Sequence, residues 1–231
     1  MAVDAVIFDW GGTLTPWHTI DPTAEWRSLA MSAAPERADA ATEALVAASQ
    51  EVWLRSRDEY RSATIQEICT RAEIEYDDAA LQAYRDFWEG STHTDPEVPE
   101  LLDRLHAEGI RVGVLSNTIW PAAWHEEIFA RDGVDHLIDG AVYSSSIAWT
   151  KPAAQAFEAA MEAVGATDPA ACVFVGDRLY DDIYGATNAG LRAVHIPHSA
   201  IPPAQVGHSE GEPDAVIERL SDLPGILAHW R

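Results

Sequence analysis

Positive charge is scarce in this chain. Against 38 acidic residues stand 15 lysines and arginines, a formal net charge of −23 over 231 residues, and Lys151 is the only lysine. So acidic a balance excludes a phosphate-backbone binder, which needs a basic face, and nucleic acid is not an expected partner. An anionic small molecule would approach against long-range repulsion, so its cleft must be made locally positive by a cation, Lys151 and nearby arginines. Cysteine is also sparse. Cys69 and Cys172 lie in different parts of the chain, which excludes a disulfide framework and leaves no zinc spacing. No apolar run reaches membrane-spanning length, and residues 1–8 lack a basic signal-type start, so a cytoplasmic protein with no membrane partner is expected.

What is present centres on four short segments. Residues 5–13 read Ala-Val-Ile-Phe-Asp-Trp-Gly-Gly-Thr, an apolar run that breaks at Asp9 into two glycines. A buried parallel strand that delivers a carboxylate to its C-terminal end has this pattern, and that end faces the ligand crevice of an open α/β sheet. Gly11 and Gly12 allow a sharp turn and close approach of backbone to a ligand. Residues 110–118 form a second apolar run that stops at a hydroxyl and an amide, Ser116 and Asn117, groups that hold phosphate-type oxygens. In Thr150-Lys151-Pro152, one ammonium retained in an arginine-using chain points to a chemical requirement. From Cys172 a buried strand empties into a loop bearing Asp177, Asp181 and Asp182. Carboxylates this close repel unless a cation sits among them, and hard oxygen donors favour Mg²⁺.

In this order the four segments resemble the four motifs of the haloacid dehalogenase superfamily. The resemblance implies that Asp9 is the nucleophile, Ser116 the hydroxyl after the second strand, Lys151 the lysine of the third motif and Asp177 a metal-binding aspartate. It also implies that the Asp9 carboxylate and the Gly11 carbonyl bind the metal, with Asp182 or Asp181 in the remaining acidic position. The continuation Asp-Ile-Tyr-Gly-Ala from Asp182 fits the common pattern better, while the shorter spacing to Asp181 also occurs in relatives. One position departs from the pattern. Most phosphatases of the family carry a second aspartate two residues after the nucleophile, which protonates the leaving group, and here that position is Gly11. Loss of such an acid costs about 10²- to 10⁴-fold in rate. Acyl phosphates and sugar 1-phosphates, whose leaving groups depart readily as anions, suffer least. His18 is a candidate substitute because histidine is easily poised near neutral pH, the simpler reading being an exposed hinge residue.

Length and a 47% hydrophobic content suit one domain with an insertion or two small ones. Sequence from Thr23 to Gly90 is Ala-rich with helical spacing, interrupted at Pro35 and at 61–64; Ala38–Arg57 and Asp78–Trp88 place apolar residues three and four apart. Beyond Pro96, helices at about 98–108, 121–131, 153–164 and 181–189 alternate with strands at 110–115, 140–144, 172–176 and 192–196, and 202–213 has the composition of a surface loop. The expectation is an α/β fold: a Rossmann-like doubly wound parallel sheet core of residues 1–15 and 95–231, with an inserted α-helical cap of residues 16–94. Trp10, Trp17, Trp120, Trp124 and Trp149 are expected to pack core against cap, stacking on a ring-bearing substrate being the alternative. Arg27, Arg55, Arg57 and Arg61 are candidate anion contacts from the cap, although helix-surface arginines usually pair with nearby carboxylates.

The function these observations support is a Mg²⁺-dependent phosphohydrolase of a small phosphorylated metabolite. Asp9 would form an aspartyl-phosphate while Ser116, Asn117 and Lys151 hold the phosphoryl oxygens. Dehalogenase chemistry is the alternative, because halide departs without a proton. A non-catalytic phosphate-binding regulator has only Gly11 in its support. A phosphonatase reading fails, since that family needs a cap lysine and residues 16–94 contain none.

Overall fold

The apolar runs become strands that all point the same way. The computed structural model describes residues 3–198 and 210–230. Its sheet consists of β1 (Ala5–Phe8), β2 (Arg111–Ser116), β3 (Gly140–Tyr143), β4 (Cys172–Gly176), β5 (Arg192–His195) and β6 (Ala215–Val216), parallel throughout and ordered β3-β2-β1-β4-β5-β6. The chain builds outward from β1 to β3 on one side and from β4 to β6 on the other. The switch point between the two halves therefore lies beside β1, where parallel sheets open a crevice. Register lines up the site: Phe8 lies opposite Val114 and Val175, so Asp9, Ser116 and Asp177 all emerge at the same edge.

Between β1 and β2 the chain forms α1 (Pro22–Ala33), α2 (Ala38–Glu59), α3 (Ile65–Arg71), α4 (Asp78–Glu89) and α5 (Val98–Ala107); α6 (Ala122–Arg131), α7 (Ala154–Ala163), α8 (Gly185–Asn188) and α9 (Leu223–His229) follow. Local chemistry sets several starts. Asp21 accepts from the Thr23 amide with Pro22 at the first helical position, Thr64 accepts from Glu67, and Asp77 accepts from Ala80.

Alternate strand residues divide between two cores. Val6, Phe8, Val112, Val114, Val173 and Val175 pack on α5, α6 and α9, while Ala5, Ile7, Cys172 and Phe174 pack on α7 and α8. Helices α1–α4 bury a third cluster around Trp26, Leu29, Leu45, Ile68 and Tyr84, which Ile119 and Trp120 join from the loop after β2. Each such side chain, fully buried, contributes about 1.5–3 kcal/mol. The α/β architecture with helices inserted after the first strand is as expected.

Three details differ from the sequence reading. The helix expected over 181–189 starts earlier, as a π-turn over Leu179–Tyr184 that passes into α8. The Arg178 carbonyl accepts from both Asp182 and Ile183, and this widened turn folds the Asp182 side chain back beneath the end of β4. Helix α9 and the two-residue β6 were not expected; the first is short and the second has almost no periodicity to read. Of the loop expected over 202–213, residues 202–209 lie outside the described residues, and 210–213 carry no regular structure.

Gly140 opens β3 against the end of α7. A Cβ there would sit 2.4 Å from the Ala163 carbonyl oxygen and 3.0 Å from the Val164 nitrogen, backbone atoms that cannot rotate aside. Gly140→Ala is therefore expected to destabilise the protein by about 3 kcal/mol. Thermal unfolding should show a midpoint lowered by roughly 6–12 °C, and an unchanged midpoint would show that α7 shifts freely.

Candidate active site

One ammonium organises the edge where the strands end. Lys151 is 3% exposed, and its Nζ donates to Asp9 Oδ1 at 2.5 Å and to Asp182 Oδ1 at 2.7 Å. Burial opposes its charge, yet the Asp182 and Asp9 carboxylates hold its pKa above the ordinary lysine value. For Asp9 burial dominates and raises the carboxyl pKa, with Asp182 adding to the rise and Lys151 opposing it. Asp177 completes the group. One oxygen from each of Asp9, Asp177 and Asp182 lies within 4.8 Å of the others, all three residues being buried.

The cradle depends on missing side chains. A Cβ on Gly176 would meet the Asp182 carboxyl at 2.4 Å, and one on Gly12, whose φ is +89°, would meet Asp177 Oδ2 at 2.5 Å. Glycine at both positions is what lets two carboxylates close in on the end of β1. The turn after Asp9 is tight: the Trp10 carbonyl accepts from the amides of Leu14 and Thr15, and Gly12 donates to Thr15. The donor set, three buried carboxylates with the strand-end backbone beside them, fits a hard divalent cation such as Mg²⁺. Asp9, Asp177 and Asp182 would hold it, and its charge would offset their mutual repulsion.

Lys151 is braced from two sides. Asn117 accepts from the Lys151 amide at 2.8 Å and donates to its carbonyl at 3.0 Å, so the side chain expected to hold phosphoryl oxygens clamps the lysine backbone instead. The other brace comes from α2. Ser56 donates to the Thr150 hydroxyl at 3.2 Å, the Tyr60 carbonyl accepts from the Thr150 amide, and Ser62 bonds the carbonyls of Ile147 and Ala148.

The remaining candidates divide clearly. Ser116 is buried at the end of β2, one residue beyond the position abreast of Asp9. Asp182 is fully buried inside the carboxylate group, whereas Asp181 turns to Arg178 at 3.6 Å, its carboxyl pushed up to about 6 chiefly by burial. His18 is exposed. Arg27 pairs with Asp39, Arg55 with Glu67 and Arg57 with Asp58, while Arg61 lies 4.8 Å from the centre of the Trp149 ring. Trp10, Trp120 and Trp124 pack into one aromatic seam, with Trp10 and Trp120 5.6 Å apart, as expected of residues joining sheet and helices. Sequence reasoning missed Arg178. Its guanidinium lies 5.4 Å from the Trp17 ring in the field of Asp177, Asp181, Asp182 and Asp9. An arginine directly after Gly176-Asp177 was the available signal.

A family model for haloacid dehalogenase-like hydrolases matches residues 3–190. A glyceraldehyde 3-phosphate phosphatase of Methanothermobacter thermautotrophicus is 36% identical over 134 residues, 57% of this chain and 58% of that protein. One from Methanopyrus kandleri is 28% identical over 97% of both chains. Among solved structures, a HAD phosphatase from Thermococcus onnurineus shares the fold at a TM-score of 0.71 and 22% identity, over 97% of this chain and 98% of that one. A 2-haloacid dehalogenase from Pseudomonas syringae pv. Tomato superposes at 0.68 with 26% identity, over 99% of this chain and 100% of that one. Among the described residues no helix is long and apolar enough to cross a membrane.

Lys151→Met removes the one charge that Asp9 and Asp182 share. Measured by urea unfolding in EDTA near pH 8, the variant is expected to lose about 3–5 kcal/mol. The loss should shrink as pH falls, because the Asp9 carboxyl, whose folded-state pKa is raised by burial, takes up a proton more readily in the folded than in the unfolded chain. A pH-independent loss would point to packing rather than charge.

Proposed function

The chain belongs to the haloacid dehalogenase-like hydrolases, and on that premise we propose that it is a Mg²⁺-dependent phosphohydrolase of a small phosphorylated metabolite, working through an aspartyl-phosphate on Asp9. The observation that carries this reading is the convergence of Asp9, Asp177 and Asp182 around Lys151 at the sheet's switch point. Triose phosphates and related small phosphate esters are the substrate class, a choice supported by the names of the archaeal relatives. Residues 16–94 act as the cap over the site, and the two buried free cysteines fit a reducing cytoplasm.

In this mechanism the Asp9 carboxylate attacks phosphorus and the bond to the leaving oxygen breaks, its electron pair going with the leaving group. Lys151 and Ser116 hold phosphoryl oxygens, and Asn117 keeps Lys151 in position through its backbone. Water then attacks the aspartyl-phosphate, releasing phosphate and regenerating the carboxylate. Asp9, Asp177 and Asp182, with the Gly11 carbonyl, would hold Mg²⁺, whose positive charge would favour transfer of the phosphoryl group.

Dehalogenase chemistry has one observation in its favour, Gly11 in place of the usual acid, and a structural neighbour of that activity. Three converging carboxylates favour the metal-dependent phosphatase, since halide displacement by relatives of that class needs no cation. The deciding experiment is an assay with Mg²⁺ against glyceraldehyde 3-phosphate, an acyl phosphate and a 2-haloacid, for the native chain and Asp9→Asn. Phosphate release by the native chain, abolished by EDTA and by the substitution, is the expected outcome. Halide release that survives EDTA would replace this reading with the dehalogenase one.

Gly11 has open space around it: a Cβ there would have no neighbour within 4 Å. Gly11→Asp can therefore restore the family's acid without a clash at the backbone. It is expected to raise kcat/KM for an alkyl phosphate by at least about tenfold, and for an aryl phosphate, whose leaving group gains little from protonation, far less. Equal ratios for the two substrates in both proteins would reject the missing-acid account.

A further inference from the structure

Arg178 stands where no expected site residue stood. It opens the π-turn after Asp177, and its backbone amide donates to Asp182 Oδ2 at 2.9 Å, which fixes its Cα at the rim of the carboxylate group. The side chain runs over Trp17, with the guanidinium carbon 5.4 Å from the ring centre, and reaches Asp181 at 3.6 Å. Trp17 itself lies against the tight turn at Gly12: the Cβ position of Gly12 is 3.4 Å from Trp17 and 2.5 Å from Asp177. The indole, the guanidinium and the Asp177 carboxylate thus gather beside the turn at Gly12.

The charges explain why an arginine is held there. Its backbone bond to Asp182, its ion pair with Asp181 and its place over Trp17 beside Asp177 set the guanidinium among the carboxylates of the site. A guanidinium does not deprotonate in proteins, so this charge is permanent. Four carboxylates facing Lys151 and Arg178 leave two charges uncompensated, which is the charge of one divalent cation. The packing on Trp17 offsets part of the cost of holding a cation in a buried place.

We propose that Arg178 is the resident counter-ion of the Asp9, Asp177 and Asp182 cluster, a positioning residue that competes with the divalent cation and thereby sets how tightly the site binds it. The proposal rests on the metal-dependent reading of the site. Without Arg178 the cluster carries one more uncompensated negative charge, so the cation is attracted more strongly. Arginine here weakens metal binding and in return keeps the metal-free site from repelling itself apart.

The test is Mg²⁺ binding by isothermal titration calorimetry on the full chain at fixed ionic strength, without substrate. Arg178→Gln is expected to lower the Kd for Mg²⁺ about tenfold, while Arg178→Lys, which keeps the charge, should stay within about threefold of the native value. Arg178→Met, whose stem keeps the contact with Trp17, is measured alongside and should match the glutamine variant; it supplies the neutral side chain if the glutamine variant does not fold. A Kd unchanged or weakened in the neutral variants overturns the proposal, as does a lysine variant that shifts as far as they do. These failures leave the metal-dependent reading standing, because the native chain still binds Mg²⁺. Absence of binding in the native chain and every variant would remove that reading together with the proposal.

Discussion

The bonds from Lys151 to Asp9 and Asp182 are the constraint on which the rest of this structure depends. Two carboxylates from opposite ends of the sequence are buried within reach of one another, and burying like charges costs several kcal/mol unless a partner of opposite sign lies between them. The single lysine of the chain is that partner. Its placement in turn requires β1 beside β4, a loop before α7 that arrives over their ends, and Asn117 to hold both the amide and the carbonyl of residue 151.

The helices between β1 and α5 are joined to this centre by two kinds of contact. Polar bonds tie the end of α2 to residues 147–150, immediately before Lys151. An aromatic seam supplies the other: Trp26, Tyr84, Trp88, Trp120 and Trp124 meet in succession at tilted and edge-on angles, and Trp120 reaches Trp10, the residue after Asp9. Inside the seam Tyr84 donates to Glu25 at 2.5 Å, and burial pushes that carboxyl up to about 7. Movement of the helices would therefore be felt both at Lys151 and at Trp10, the neighbour of Asp9.

Gly11, Gly12 and Gly176 occupy one small region and have different physical standing. Gly12 and Gly176 are required, since any side chain would displace a carboxylate of the cluster. Gly11 is not required by space, so its identity is a matter of chemistry. The absent acid at this position thus separates from the architecture that surrounds it. The fold and the charge centre at the strand ends are complete without a side chain at residue 11.

Much of this was written in the sequence. Apolar runs ending in Asp9, Ser116 and Gly176 determine strands whose C-terminal ends carry polar groups, because a strand buried on both faces must be apolar until it leaves the sheet. The lone Lys151 marked itself by rarity, and helical spacing from 23 to 90 marked the insertion. Tertiary structure decided the rest. Asp181 and Asp182 are adjacent and chemically identical, and only the widened turn after Arg178 and the absent side chain of Gly176 turn Asp182 to Lys151 and Asp181 to Arg178. Asn117 could have faced a ligand, but the approach of residue 151 gave its amide two backbone partners. Arg178 has no pattern of its own, since its neighbours Asp177, Asp181 and Asp182 gain their meaning only when the fold brings Asp9 and Trp17 from the other end of the chain beside them. Periodicity and residue type record what one segment needs, whereas the direction of a side chain among charges depends on what the other segments bring beside it.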